Sequence, residues 1–281
     1  MANFNVLVSV FKTEYLRQTF ESLRRQTVSN FEVVVIDDCS AENVLQICDE
    51  FPDLRLRYFR NEKNLGKKDP SRSWNKGLEF CTKDYVCLVG DDDCLDSNYF
   101  ETMGKLVAAY PNAGLYRSRL RIIDTDDQVL VLGPGLPLEE TWDEFLYQRN
   151  THHRPHSTSE FCLPRQLLID LGGWVSLPMA IGSDDLTYLN LAQKGKIVST
   201  NDTWASWRRH RKQISTSRRF DSERNNALHM LGTIERKKVL ETRAEVVPKN
   251  LLLVDLPGKK ISGLGRTKSS IIKFLGQIGF E

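Results

Sequence analysis

Three consecutive aspartates, Asp91, Asp92 and Asp93, follow the apolar run YVCLV at 85–89. Adjacent carboxylates repel one another, so such a cluster is costly unless a cation neutralises it. Hard oxygen ligands with open positions suit Mg2+ or Mn2+, and an ion held this way can bridge a diphosphate. The plainer alternative is an acidic turn with no ion. A second acidic pair, Asp37-Asp38, ends the apolar run FEVVVI at 31–36. Carboxylates at a strand exit accept hydrogen bonds from a ribose or a base N–H; equally, Asp38 or Ser40 caps the helix that follows. The sequence has neither a G-x-x-x-x-G-K-[ST] loop nor a strand-linked G-x-G-x-x-G. Phosphate charge would then fall to the cation and to basic residues such as Lys67, Lys68 and Arg72, which disfavours a P-loop ATPase and a dinucleotide dehydrogenase.

Side chains of this kind need strands to aim them. The β-branched run at 6–10 predicts a strand, and Tyr15, Leu16, Phe20 and Leu23 have the spacing of a helix laid on a sheet. The continuous apolar run at 31–36 predicts a strand covered on both faces. A helix over 42–51, a strand over 54–59, a loop over 61–71, a helix over 73–80 and a buried strand over 85–89 follow. A helix over 99–109 and a strand over 113–118 continue the alternation. It predicts an α/β fold with a doubly wound, mostly parallel sheet, whose ligands bind beyond the carboxyl ends of the strands.

Residues 119–140 contain Thr-Asp-Asp and Gly-Pro-Gly-Leu-Pro, and strict alternation stops there. Beyond them a helix is expected over 142–147, and a polar loop over 151–158 holds three of the five histidines. An amphipathic helix over 184–194 should stop at Gly195. A long charged helix is expected from Ser217 to about Arg243, then a tail with five basic residues after Gly258. A domain boundary belongs near Ser217, dividing 1–217 from a C-terminal helical extension over 218–281.

The 281 residues carry 39 Lys+Arg against 37 Asp+Glu, a net charge of +2, which gives no electrostatic case for nucleic acid as the main partner. Composition is ordinary for a globular protein, at 40% hydrophobic and 27% charged. No apolar run approaches the roughly 20 residues that span a bilayer, and a strand-like segment begins at once, so neither a membrane span nor a secretory leader is expected. Six cysteines without a C-x-x-C pair are expected to be reduced thiols, which implies a cytoplasmic location.

The string VLVSVFKTEYLRQTFESLRRQTVSNFEVVVIDDCS, followed by NLGKKDPSRSWNKGLEFCTKDYVCLVGDDDCLDSNYFE, resembles the nucleotide-binding half of family 2 inverting glycosyltransferases with the A-type glycosyltransferase fold. The opening strand, the Q-T before F-E-V-V-V-I-D-D, the N-x-G loop, the helical Asn-x-Gly and the Asp-rich strand end occur in family order. The resemblance covers about the first 120 residues closely and a further hundred more loosely. It implies a nucleotide-sugar-binding half over 1–118 and an acceptor half over 119–217. Ser9, Val10 and Phe11 match the strand end where the base of the sugar nucleotide packs, and Asp38 matches the carboxylate on the base or ribose. Asp91 to Asp93 match the metal motif, with Asp92 and Asp93 at the two strongest positions and Gly90 where many relatives carry the first Asp. Downstream, GGW then IGSDDLTYLNLAQKG is similar to the segment that carries the family's catalytic Asp. Counting back from LAQKG puts Asp184 there, with Asp185 as the register alternative, Ser183 where Glu is commoner and Asn190 where Arg is commoner. WRRHRKQISTS matches the segment that supplies a metal-ligating His, here His210.

The resemblance implies transfer of a sugar from a nucleoside-diphosphate donor, most often a UDP-sugar, to a hydroxyl of a glycan or lipid-linked acceptor. Mn2+ or Mg2+ would assist, and Asp184 would act as the base in a single inverting displacement. His156 is a candidate for the acceptor side, and the basic, partly apolar tail for peripheral contact with an anionic membrane. Three other readings compete. A nucleotidyltransferase would open with a glycine-rich phosphate loop, which SVFKTE is not; an Asp-nucleophile phosphatase would carry Thr two positions after its second Asp; and a non-catalytic sugar-nucleotide-binding scaffold of the same fold is kept open by Ser183. Neither the sugar, the base, the acceptor nor the oligomeric state is legible.

Overall fold

The run Phe4–Val10 forms β1, and the helix after it, α1 (Leu16–Arg24), buries Leu16, Thr19, Phe20 and Leu23, the i, i+3, i+4, i+7 stripe that the sequence spaces for this purpose. The computed structural model describes residues 2–150, 154–211, 213 and 222. The predicted C-terminal extension, its charged helix and basic tail, and His152 and His153 of the histidine loop lie outside the described residues, save Ser222.

Alternation continues through β2 (Phe31–Asp37), α2 (Val44–Asp49), β3 (Leu56–Arg60), α3 (Ser71–Leu78) and β4 (Tyr85–Gly90). β1 pairs in parallel with both β2 and β4, and β2 with β3, giving the order β3-β2-β1-β4. The chain winds outward from β1 to β3 and then returns to the other side of β1. The carboxyl ends of β1 and β4 therefore flank a topological switch point, where open α/β sheets bind ligands. Gly77 lets α3 settle close to the sheet, since a Cβ there would overlap the Leu7 side chain.

After β4 come β5 (Cys94–Leu95), α4 (Tyr99–Ala109), β6 (Leu115–Ile123), β7 (Val129–Leu132), β8 (Glu139–Glu140) and α5 (Trp142–Asn150). Then follow β9 (Phe161–Pro164), α6 (Arg165–Asp170), α7 (Ser183–Ala192) and β10 (Ile197–Arg208). The same sheet extends through them in the order β4-β9-β6-β10-β5, with β7 added to β6 and β8 to β10. Here the pairing is mixed: β9 is antiparallel to both neighbours, β6 and β10 are parallel, and β5, β7 and β8 are antiparallel. The parallel sheet expected from the alternation occupies the first half, and the non-alternating half adds the antiparallel strands.

One expectation is corrected. The register Tyr85↔Pro164, Val86↔Leu163 sets Cys87 opposite Cys162, and the two are joined by a disulfide with a Cα separation of 4.6 Å. That spacing is the one found at a non-hydrogen-bonded antiparallel pair. The partners lie 75 residues apart in sequence, so no local spacing announces the bridge. Cys39, Cys48, Cys81 and Cys94 are free, and burial pushes the Cys48 and Cys81 thiols up to about 12, leaving them unreactive. Among the described residues no helix is long and apolar enough to cross a membrane.

Candidate active site

Phe11 projects from the end of β1 with 49% of its surface exposed, a flat ring at the mouth of the switch point. Val10 is fully buried, backbone included, and its carbonyl accepts the Asp38 N–H (2.8 Å). Ser9 Oγ lies 2.8 Å from Ser73 Oγ on α3, joining β1 to the helix above it.

The three aspartates after β4 diverge. Asp91 Oδ2 accepts the backbone N–H groups of Phe11 (3.1 Å) and Lys12 (3.2 Å), tying the two strand ends together. Asp92 Oδ2 lies 2.8 Å from His210 Nε2, although 118 residues separate them in sequence. The imidazole is placed by its own backbone N–H, which donates to Gln213 Oε1 (3.2 Å), while the Gln213 amide donates to the carbonyl of Arg208. Asp93 faces inward and is 2% exposed. Its Oδ2 accepts from Ser157 Oγ (3.1 Å) and Ser159 Oγ (2.5 Å), and its Oδ1 from the Arg208 backbone N–H (3.0 Å). Asp93 is thus engaged by three protein donors, while the imidazole meets Asp92. Burial first, and then the neighbouring Asp92, push the Asp91 and Asp93 carboxyls up to about 7.

Arg208 was missed in the sequence, where the only sign is the W-R-R-H run. It is fully buried at the end of β10. Its guanidinium donates to the carbonyls of Asp92 (2.9 Å) and Asp124 (2.9 Å) and to Asp127 Oδ1 (2.6 Å), and stands 4.7 Å from the Tyr15 ring centroid. It therefore fixes the backbone of the acidic turn from behind.

Asp38 directly follows β2. It is nearly buried, and its Oδ1 accepts from Asn61 Nδ2 and the Leu65 N–H (both 2.8 Å) while its Oδ2 accepts the Gly66 N–H (2.7 Å). Its carboxylate thereby shapes the N-x-G loop. Asp37 is likewise engaged, by Tyr58, Arg60 and the Ser40 N–H. Lys68 and Arg72 both stay exposed on the loop and first turn beyond, with Arg72 reaching Asp69 only at 4.0 Å. The Lys68 carbonyl accepts the Met179 N–H (2.7 Å), which joins this loop to the segment leading into α7.

Asp184 and Asp185 occupy the first turn of α7, where the helix N-terminus favours negative charge. The structure separates them. Arg149 on α5 grips Asp185 with both arms, Nε to Oδ1 at 2.6 Å and Nη2 to Oδ2 at 3.2 Å. Asp184 Oδ2 instead meets His156 Nε2 at 2.9 Å. Burial alone would raise the Asp184 carboxyl, but His156 and Arg149 more than offset it and hold it below the usual range, ionised at neutral pH. Among the described residues, His156, Asp184 and Asp185 form a group whose ligand atoms lie within 4.8 Å of one another. The guanidinium already supplies the positive charge that a cation would bring, so the group is complete as an ion-pair network. One short segment joins both acidic centres: His156 touches Asp184, and the next residue, Ser157, touches Asp93. Consecutive Cα atoms are about 3.8 Å apart, so the two centres are tied to one short piece of backbone.

The Gly-Gly-Trp turn before α7 is set by Asn75, whose Nδ2 donates to the Trp174 carbonyl and whose Oδ1 accepts the Trp174 N–H, both at 2.8 Å. Gly173 has φ +82° there, and a Cβ would overlap Asn75 Oδ1. Gly173→Ala is expected to destabilise the protein by about 2–4 kcal/mol through left-handed strain and overlap together. A urea denaturation midpoint within error of the parent would contradict this.

Comparison with known proteins decides the family. A family model described as Glycosyl transferase family 2 matches residues 5–167, more than half of the chain. The chain belongs to glycosyl transferase family 2. Its relatives include glycosyltransferase GlyG of Streptococcus pneumoniae, 26% identical over 170 residues that make up 59% of this chain and 56% of GlyG. Another is the poly(ribitol-phosphate) beta-N-acetylglucosaminyltransferase TarS of Staphylococcus aureus, 33% identical over 100 residues, 34% of this chain and 17% of TarS. The crystal structure of S. aureus TarS 1–349 in complex with UDP-GlcNAc superimposes with a TM-score of 0.64 at 20% identity, covering 82% of this chain and 66% of that one. That likeness carries the A-type glycosyltransferase fold. The chain spans 15% of the length of GlyA of S. pneumoniae and 56% of GlyG.

Proposed function

We propose that this family 2 chain transfers a hexose from a nucleoside-diphosphate sugar, with UDP-sugars first in line, to a hydroxyl of a glycan or lipid-linked saccharide, with inversion. The carrying observation is the meeting of Asp92 Oδ2 with His210 Nε2, 2.8 Å apart at the switch point beside the exposed Phe11. A carboxylate oxygen and an imidazole nitrogen converging on one point suit Mn2+ or Mg2+ as a donor set. When bound there, a divalent cation would neutralise charge on the departing diphosphate.

The chain's own residues do the rest in this reading. Phe11 stacks on the base, and Lys68 and Arg72 face the phosphates from the loop rim. Asp184, ionised and at a helix N-terminus, takes the proton of the acceptor hydroxyl as that oxygen attacks the anomeric carbon from the side opposite the diphosphate. One displacement from the opposite face inverts the centre. Residues 1–118 would serve the donor and 119–217 the acceptor. TarS, crystallised with UDP-GlcNAc, makes that sugar nucleotide the first donor to try.

A thermal-shift panel of UDP, GDP, CDP and dTDP, each with and without Mn2+, tests the donor site. Ligand at a hundredfold its Kd adds about 2.7 kcal/mol, a rise of several degrees. Metal-dependent stabilisation by one diphosphate supports the reading and names the base; no shift with any would leave a scaffold that has lost its donor site.

A further inference from the structure

His156, a candidate for the acceptor side in the sequence, lies in a closed pocket beside the acid pair of α7; its side chain is 3% exposed. Phe145 stacks parallel to the ring at 6.2 Å between centroids, and Phe161 and Tyr188 stand roughly edge-on at 6.0 Å each. Its Nε2 is 2.9 Å from Asp184 Oδ2 and 3.5 Å from Asp185 Oδ1. Its Nδ1 is buried and has no hydrogen-bond partner among the described residues. Nε2 is the nitrogen that meets the acid pair, and it does so as a donor, since a carboxylate only accepts. Asp185 already has a guanidinium arm on each oxygen, so the Nε2–H is directed to Asp184.

We infer that His156 is a positioning residue for Asp184: it donates one fixed hydrogen bond to Oδ2, sets the plane of the carboxylate and favours its ionised form. This rests on the reading of Asp184 as the base. The pocket explains why a histidine is used there. Its rigid ring is held on three sides by aromatic groups, so the donor cannot swing away as a flexible amide or hydroxyl would. The other charged or titratable groups around Asp184 are Arg149 on α5, Asp185 and Tyr188 on α7, and Glu160 just before β9.

The test uses the full chain and three variants, His156→Phe, His156→Gln and His156→Asn, with two readouts. The first is a 13C NMR titration of the Asp184 carboxyl, assigned with Asp184→Asn. The second is UDP release from UDP-GlcNAc in the presence of Mn2+. In His156→Phe the carboxylate keeps its burial and loses its donor. Its midpoint should rise by about one pH unit, and the acid limb of the kcat profile should move to higher pH with it. Turnover should fall about 10- to 100-fold with the donor KM changed less than about twofold. His156→Gln, which can still place an N–H near Oδ2, should recover most of both. His156→Asn, which is too short, should not. Should His156→Phe fail to fold, the Gln and Asn pair decides. An unmoved midpoint in the variants that fold, or equal behaviour of Gln and Asn, overturns the assignment. Full turnover by Asp184→Asn sinks the base reading instead, leaving the titration of Asp184 against His156 to be judged alone.

Discussion

Asp184→Asn is expected to lower turnover by about 10³-fold while nucleoside diphosphate still binds, because a positioned general base typically contributes 10²- to 10⁴-fold. The change keeps the size of the side chain and its place on α7, and removes the lone pair that would take the acceptor proton. Asp185→Asn should behave in another way. It strips one partner from the two-armed pair with Arg149, leaving a largely buried guanidinium half-satisfied, and about 2–4 kcal/mol of stability should go with it. Adjacent, chemically identical residues thus separate into one whose loss is read in kcat and one whose loss is read in the melting temperature. Asp184→Asn with parental turnover would remove Asp184 from the mechanism and move the base elsewhere in the cleft.

The second large effect concerns His210 and pH. Burial and the neighbouring Asp92 push the Asp91 and Asp93 carboxyls up to about 7 from an ordinary aspartate value of about 4. A raised carboxyl binds its proton more tightly in the folded chain than in the unfolded one. Stability from these groups is therefore present at low pH and is lost as pH rises from about 4 through about 7. A divalent cation beside Asp92 reverses the penalty by stabilising the ionised cluster. Mn2+ should consequently raise Tm more at pH 8 than at pH 5.5, by several degrees when it stands at a hundredfold its Kd. His210→Ala should abolish most of that rise and, with it, the metal-dependent part of UDP binding. An equal Mn2+ shift in parent and variant at both pH values would show that the ion sits elsewhere.

Much of the first half of the fold was legible in the sequence because its strands are continuous apolar runs, and runs such as FEVVVI at 31–36 have few alternatives to a strand buried on both faces. The second half was less so. β10 reads IVSTNDTWASWR, polar through its middle, and its pairing with β6 slips between Ser199 and Trp204, which breaks the two-residue period that would have marked a strand. β9 is four residues long and finds β4 only across 75 positions or so of chain, as its disulfide records, and β6 through the remote pair Tyr116↔Cys162. At the site, types were easier to foresee than orientations. The Asp-rich turn was plain, but which aspartate turns inward depends on Ser157, Ser159 and the backbone of Arg208, all remote in sequence. Asp184 and Asp185 are likewise indistinguishable until Arg149 takes one and His156 the other.

The insertion of β9 between β4 and β6 also governs the order of events during synthesis. β1 to β4 are complete once residue 90 has been made, yet the flank of β4 that faces away from β1 has no partner until residues 161–164 arrive. At about 5–20 residues per second, some seconds pass with that flank bare. An unpaired strand flank is the kind of surface on which nascent chains pair wrongly with one another. The strand that covers the open flank of β4 is thus delivered late, by the part of the chain that also carries His156 and Ser157. The acidic turn and the segment that braces it therefore reach their final form together.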